Sequence, residues 1–339
     1  MGKARKRVWA IIAGGLILAA CSGSADVPSP APVQMLPPPP APPPAPPPPP
    51  PPPPPVSSAP MTQLDVQYGT GLLNGGSKQL LMDIYQSADP CTDPRPFIVM
   101  IHGGGFIGGS KSDLPWRING EEMASRGFVA ASIDYRLEGD DPVPSAEFTP
   151  VLQALFQTPE GMIPGNEMRV NAIASAFEDA ANAVRYLIDE ADTLCIDPDR
   201  YGIWGSSAGA FIALHTAYGL DEFSITLPKP NVVGDFWGGV FFPEILDQDD
   251  PPFIIVHGDQ DPTVQYQQSV NLTARATTLN VDHSFYTVEN AGHGFGATQV
   301  ASLEVGGETL IDLTYNFLEA HLRAGGTPLY ETVSTPRSP

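Results

Sequence analysis

Ser207 lies in Gly205-Ser206-Ser207-Ala208-Gly209, the one G-x-S-x-G in a chain of 339 residues. A serine hydroxyl at neutral pH is a weak nucleophile until a base takes its proton and an acid orients that base. The pentapeptide follows a short apolar run ending at Trp204 and opens a helical pattern, so a tight strand-to-helix turn is expected there. Small residues flanking such a turn let backbone segments approach closely. The hydroxyl is then lifted above the sheet, beside a helix N-terminus whose dipole favours an anion. A second stretch, His102-Gly103-Gly104-Gly105-Phe106, follows another apolar run. Its bare glycines can present N–H groups to a carbonyl under attack, with Gly104 and Gly105 as donors and the Ala208 N–H as a third. The implied chemistry is attack on an ester or amide carbonyl through a tetrahedral oxyanion. As a phosphate cradle the glycines are less convincing, because no G-x-x-x-x-G-K-[ST] is present and Lys111 is displaced from them.

The base is sought among six histidines. His293 sits in the glycine-flanked loop Ala291-Gly292-His293-Gly294-Phe295, after the last expected strand, and is the candidate. His257 ends the preceding strand and reads as packed beneath its loop. His215, His283 and His321 fall within helices or a strand and read as structural. Asp259 and Asp261 both follow His257-Gly258 and compete for the orienting role, Asp259 being equally suited to cap a loop. A zinc site built from His257, Asp259, Asp261 and His293 lacks ligand spacing, and no metal is expected.

These groups need a rigid support. Residues 64–68 and 79–85, joined through Asn74-Gly75-Gly76, read as an antiparallel pair. Apolar runs at 97–101, 128–133, 201–204, 232–236, 253–257 and 284–288 read as buried strands. Helical patterns cover 114–126, 172–191, 208–218, 265–279 and 303–323. Strands alternating with helices give an α/β fold with a mostly parallel sheet covered on both faces. Residues 138–171 are rich in proline and glycine yet apolar, as in a functional cap or lid.

Together with Asp134-Tyr135-Arg136-Leu137 and Ile196-Asp197-Pro198-Asp199-Arg200, these motifs make residues 80–323 resemble the esterase/lipase branch of the α/β-hydrolase superfamily. That branch includes hormone-sensitive-lipase-like carboxylesterases and feruloyl- and acetyl-xylan-esterase-like enzymes. The resemblance implies an eight-stranded sheet and a triad of Ser207, Asp261 and His293 in the superfamily's chain order. It implies an acyl-enzyme and no cofactor. Asp261 is favoured over Asp259 because it matches the family position three residues after the glycine. Amide or peptide cleavage, or a formamidase reaction, would use the same groups, and a non-catalytic envelope-binding module is the remaining alternative. Two departures touch substrate choice: Glu138-Gly139-Asp140 replaces the usual alanine-proline-glutamate, and the stretch before Glu178-Asp179 is long. In the family's sheet order, Cys91 and Cys195 precede neighbouring strands, which implies a disulfide.

The termini carry different information. Residues 1–20 read as an export signal, with basic Lys3–Arg7 before an apolar run, and Leu18-Ala19-Ala20-Cys21 resembles a bacterial lipobox with Cys21 acylated. Ser22 after the cysteine implies the outer membrane. Residues 21–60 form a proline-rich linker, whose densest part, 37–55, would make a polyproline II spacer of roughly 60 Å. The hydrolase-like domain is placed at 61–325 and a tail at 326–339. A net charge of −21 lacks the footprint of a nucleic-acid binder, so the expected partner is a small or polymer-borne ester. Three cysteines exclude a disulfide scaffold.

Overall fold

Among the described residues the strands are β1 (Pro60–Leu73), β2 (Gly76–Ser87), β3 (Arg95–Ile101), β4 (Val129–Ile133), β5 (Ile196–Ser206), β6 (Val232–Phe236), β7 (Phe253–Gly258), β8 (His283–Glu289), β9 (Glu304–Val305), β10 (Glu308–Thr309) and β11 (Thr332–Pro336). The helices are α1 (Leu114–Ser125), α2 (Thr149–Leu155), α3 (Glu167–Asp189), α4 (Ala191–Leu194), α5 (Ala208–Tyr218), α6 (Gln267–Leu279) and α7 (Leu310–Leu322). This computed structural model describes residues 60–295 and 300–336. The chain divides into units Met1–Pro52 and Pro53–Pro339, and every described residue belongs to the second. The export signal, Cys21 and nearly all of the proline-rich linker therefore lie outside the described residues.

One sheet runs β1-β2-β4-β3-β5-β6-β7-β8-β11. The β1–β2 and β2–β4 pairs are antiparallel, and every later pair is parallel. Side chains alternate across it, as a period of two requires. Phe97, Val99 and Ile101 of β3 enter one core with α2, α3, α5 and α6. Ile98 and Met100 enter the other, with α1 and α7. Because both faces are covered, β3, β4, β6 and β7 are apolar almost throughout.

The sheet has nine strands rather than the expected eight. The ninth is β11, in the tail, which pairs Thr332 with Phe285 and so extends the parallel edge beyond β8. The helix expected over 303–323 is shorter for a local reason. Gly306 and Gly307 both take positive φ, 64° and 94°, and turn the β9–β10 hairpin. Thr309 then caps α7 by accepting the Asp312 N–H. Cys91 and Cys195 are joined by a disulfide, with Cα atoms 5.7 Å apart. It clips the lead-in of β3 to the start of β5.

Residues 138–171 contain two single-turn 3₁₀ helices, α2 and the first turn of α3. Phe148, Val151 and Leu155 from this stretch are buried in the core, whereas Met162 and Ile163 are exposed. Arg136 ties the region down. Its guanidinium is wholly buried and bonded to Asp179, Glu178 and the carbonyls of Leu72, Val143 and Ser175. A buried cation is tolerable when every donor is matched in this way.

Candidate active site

The C-terminal ends of five neighbouring strands converge. Ile101 of β3 pairs with Gly205 of β5, Ser206 with Phe236 of β6, Phe236 with Val256 of β7, and Gly258 with Val288 of β8. The loops leaving those ends carry His102–Gly105, Ser207, Trp237, Asp261 and His293. In open α/β sheets this edge is where ligands bind.

Ser207 joins β5 directly to α5 with φ 52° and ψ −122°, a conformation that side chains rarely adopt. Its N–H is anchored to the Phe236 carbonyl at 2.8 Å. The flanking glycines are sterically necessary. A Cβ on Gly205 would land on the Gly209 carbonyl, and one on Gly209 on the carbonyl of Ile101. The hydroxyl thereby stays partly exposed, and Ser207 Oγ lies 2.8 Å from His293 Nε2.

His293 Nδ1 lies 2.7 Å from Asp261 Oδ2. A carboxylate can only accept, so Nδ1 carries the proton and Nε2 offers its lone pair to the serine hydroxyl. Asp261 is side-chain buried and held by four donors. The N–H groups of Thr263 and Val264 reach Oδ1 at 2.7 and 3.0 Å. Oδ2 is shared between His293 and His257, whose Nε2 is 3.2 Å away. His257 Nε2 also faces the Val264 carbonyl at 3.0 Å, so it too bears a proton, and Ser269 donates to Nδ1 at 2.7 Å. Burial pushes the His257 imidazole below its ordinary pKa, despite the opposing pull of its acceptors. Asp259 lies outside this relay. Its carboxylate accepts the Asn290 N–H at 2.7 Å and shapes the loop that carries His293.

Opposite Ser207 runs the glycine loop. A Cβ on Gly103 would meet the Ser206 carbonyl at 3.0 Å and Ser207 Cβ at 3.2 Å, which measures how closely the two loops approach. The Gly103 carbonyl accepts from His102 Nδ1 at 2.7 Å and from the Tyr135 hydroxyl at 3.3 Å. The Gly104 carbonyl accepts from Ile107 and Gly108, each at 3.1 Å. Each bond polarises a peptide whose N–H, of Gly104 or Gly105, has no acceptor among the described residues. Ala208 N–H, in the first turn of α5, is free of an intrahelical partner for the usual reason. His102 is buried and stacks on Tyr135 at 4.4 Å, and burial lowers its pKa.

Gly103–Gly105, Ser207 and His293 all line one cavity of about 940 Å³. Its other walls are mainly apolar and include Leu114, Trp116 and Ile118 of α1, Trp237, Ile311 and Tyr315. No residue of 138–171 is among those lining it. The α1 and α7 walls had no sequence signal beyond ordinary helical periodicity. The same holds for the second imidazole on Asp261, since only the folded 259–264 turn brings His257 Nε2 against that oxygen.

Two family models match this chain in succession. The BD-FAE model matches residues 82–150 and 167–229, passing over the middle of the 138–171 segment. The prolyl oligopeptidase family model matches residues 243–323. The native esterase 2 of Thermogutta terrifontis superposes with a TM-score of 0.57 over 79% of this chain and 95% of that one, at 21% identity. The chain has the α/β-hydrolase fold. The butyrate-bound form of the same enzyme gives 0.53 at 22% identity, covering 70% and 85% of the two chains. Among curated relatives, the chain is 23% identical to Esterase LipC of Mycobacterium tuberculosis over 66% of its own length and 59% of LipC's. A 28% identical stretch of the non-reducing polyketide synthase pkbA of Emericella nidulans covers 59% of this chain but 7% of the synthase. The chain thus spans less than two thirds of these relatives.

Proposed function

We propose that the protein is a serine carboxylesterase acting on esters with a sizeable apolar part. The observation that carries this reading is the unbroken relay from Ser207 Oγ through His293 to Asp261, at 2.8 and 2.7 Å, opening into an apolar cavity. In the proposed reaction His293 Nε2 takes the Ser207 proton as Oγ bonds to the ester carbonyl carbon. The oxyanion is held by the N–H groups of Gly104, Gly105 and Ala208. The C–O bond then breaks, His293 returns the proton to the departing alcohol, and an acyl-enzyme remains. Water, activated by the same imidazole, releases the acid and restores Ser207. Asp261 keeps the imidazole in the required tautomer and stabilises its cation. The resemblance implies no cofactor, and the proposed steps call for none.

Replacing Ser207 by Ala should reduce hydrolysis of p-nitrophenyl esters by at least a thousand-fold with the fold intact; turnover within tenfold of wild type would refute the assignment. Amide cleavage is the second reading, favoured by the prolyl oligopeptidase match over residues 243–323, the part of the domain that carries Asp261 and His293. A panel of esters against matched anilides and peptides separates the two. We further propose that acylated Cys21 and the proline-rich linker tether the domain to the outer membrane.

A further inference from the structure

The glycine loop is braced from outside the cavity. Arg169, in the first turn of α3, donates from Nη1 to the Gly105 carbonyl at 2.8 Å. The guanidinium is itself gripped. Nε reaches Glu160 Oε1 at 2.6 Å, Glu138 lies 3.7 Å from Nη1, and the group sits 5.8 Å above the Phe106 ring. Asn166 fixes Glu160 in turn, donating to its carboxylate at 2.8 Å and to its carbonyl at 2.9 Å. The Glu138 N–H takes the next carbonyl of the loop, that of Phe106, at 2.8 Å.

This bracing falls where the backbone needs it. Gly104, Gly105 and Phe106 take φ of 111°, 62° and 63° in succession, and for Phe106 that conformation is strained. A peptide unit is a rigid plane, so pinning a carbonyl also sets the plane that continues from it. With Gly103 and Gly104 held by His102, Tyr135, Ile107 and Gly108, the last two carbonyls of the turn depend on Arg169 and Glu138. All four carbonyls are then occupied.

We propose that Arg169 is a positioning residue for the oxyanion-binding loop, and that residues 138–171 act as its strut. Arg169 lines no part of the cavity and works through Gly105. The proposal rests on the serine-esterase reading. Aim of the N–H groups matters most when charge develops on the carbonyl oxygen, so the effect falls on kcat and spares KM.

The test uses the full-length protein, with active sites titrated by a fluorophosphonate so that misfolded molecules are not counted. Arg169→Met should lower kcat on a short p-nitrophenyl ester by about 10- to 100-fold with KM within twofold. Inhibition by an alkylboronic acid, a tetrahedral mimic, should weaken by a similar factor. Arg169→Lys, which keeps one donor, should recover part of kcat, and Glu160→Gln should fall between wild type and Arg169→Met. A kcat per titrated site within twofold of wild type, or a loss confined to KM and thermal stability, overturns the proposal. If Arg169→Met does not fold, Arg169→Lys and Glu160→Gln decide it by the same readouts. A wild-type protein that cleaves no ester removes the esterase reading, and this inference with it.

Discussion

Asp261 Oδ2 accepts from two imidazoles, and the consequences differ for each ring. For His293 the bond fixes which nitrogen faces Ser207, whereas for His257 it supplies part of the partner set that a buried ring needs. Another carboxyl, Asp235 at the end of β6, is less well served. It is wholly buried, its Oδ1 accepts the Gly238 N–H at 2.8 Å, and its Oδ2 has no partner among the described residues. Burial pushes its pKa up to about 7 from an ordinary 3.8. The folded protein therefore holds this proton across a range where the unfolded chain has released it, so this contribution to stability falls as pH rises from about 4 to about 7. Relative to wild type, Asp235→Asn should gain stability over that window, by on the order of 4 kcal/mol. Urea denaturation of both proteins at pH 4, 5.5 and 7 checks this, and parallel profiles would refute it. At this scale, legibility in the sequence followed chain distance. Ser207 and the 103–105 glycines stand in contiguous motifs that state their own geometry. Arg169 does not, because its bond to Gly105 spans 64 residues and appears only once α3 is docked.

The approach of α5 to β3 depends on Gly209, which has no room for a side chain beside the Ile101 carbonyl. Gly209→Ala should force the helix N-terminus away from the sheet and cost about 1–3 kcal/mol, lowering Tm by roughly 2–10 °C. Thermal unfolding followed by circular dichroism reads this, and an unchanged Tm would show that the contact is soft. Element positions were largely legible because buried parallel strands are continuous apolar runs, and 232–236 and 208–218 coincide with β6 and α5. Two features escaped for identifiable reasons. The strand β11, Thr332–Pro336, is short and polar, and its pairing to β8 is supplied by a backbone edge. The β9–β10 hairpin was absorbed into a helical pattern, although Gly306-Gly307 followed by Thr309 and Asp312 is a turn and cap signature.

Across the molecule as a whole, a net charge of −21 and an N-terminal cysteine-proline region accompany a domain with a mostly apolar cavity. The cavity's rim residues Ile107, Leu114 and Ile118 are half or more exposed, which suits substrates whose apolar portion extends beyond the pocket. If Cys21 is acylated, Cys21→Ser should shift the protein from the membrane to the soluble fraction of a fractionated bacterial host while leaving kcat/KM on soluble esters unchanged. Recovery of the variant in the membrane pellet at the wild-type proportion would contradict the anchor. Covalent labelling is the sharpest check on Ser207 as the nucleophile. Full-length protein treated with a fluorophosphonate and analysed by intact-mass and peptide mass spectrometry should gain one adduct, located on Ser207, and His293→Ala should slow its formation by at least a hundred-fold. Absence of an adduct, or an adduct on another residue, would contradict the serine-esterase reading.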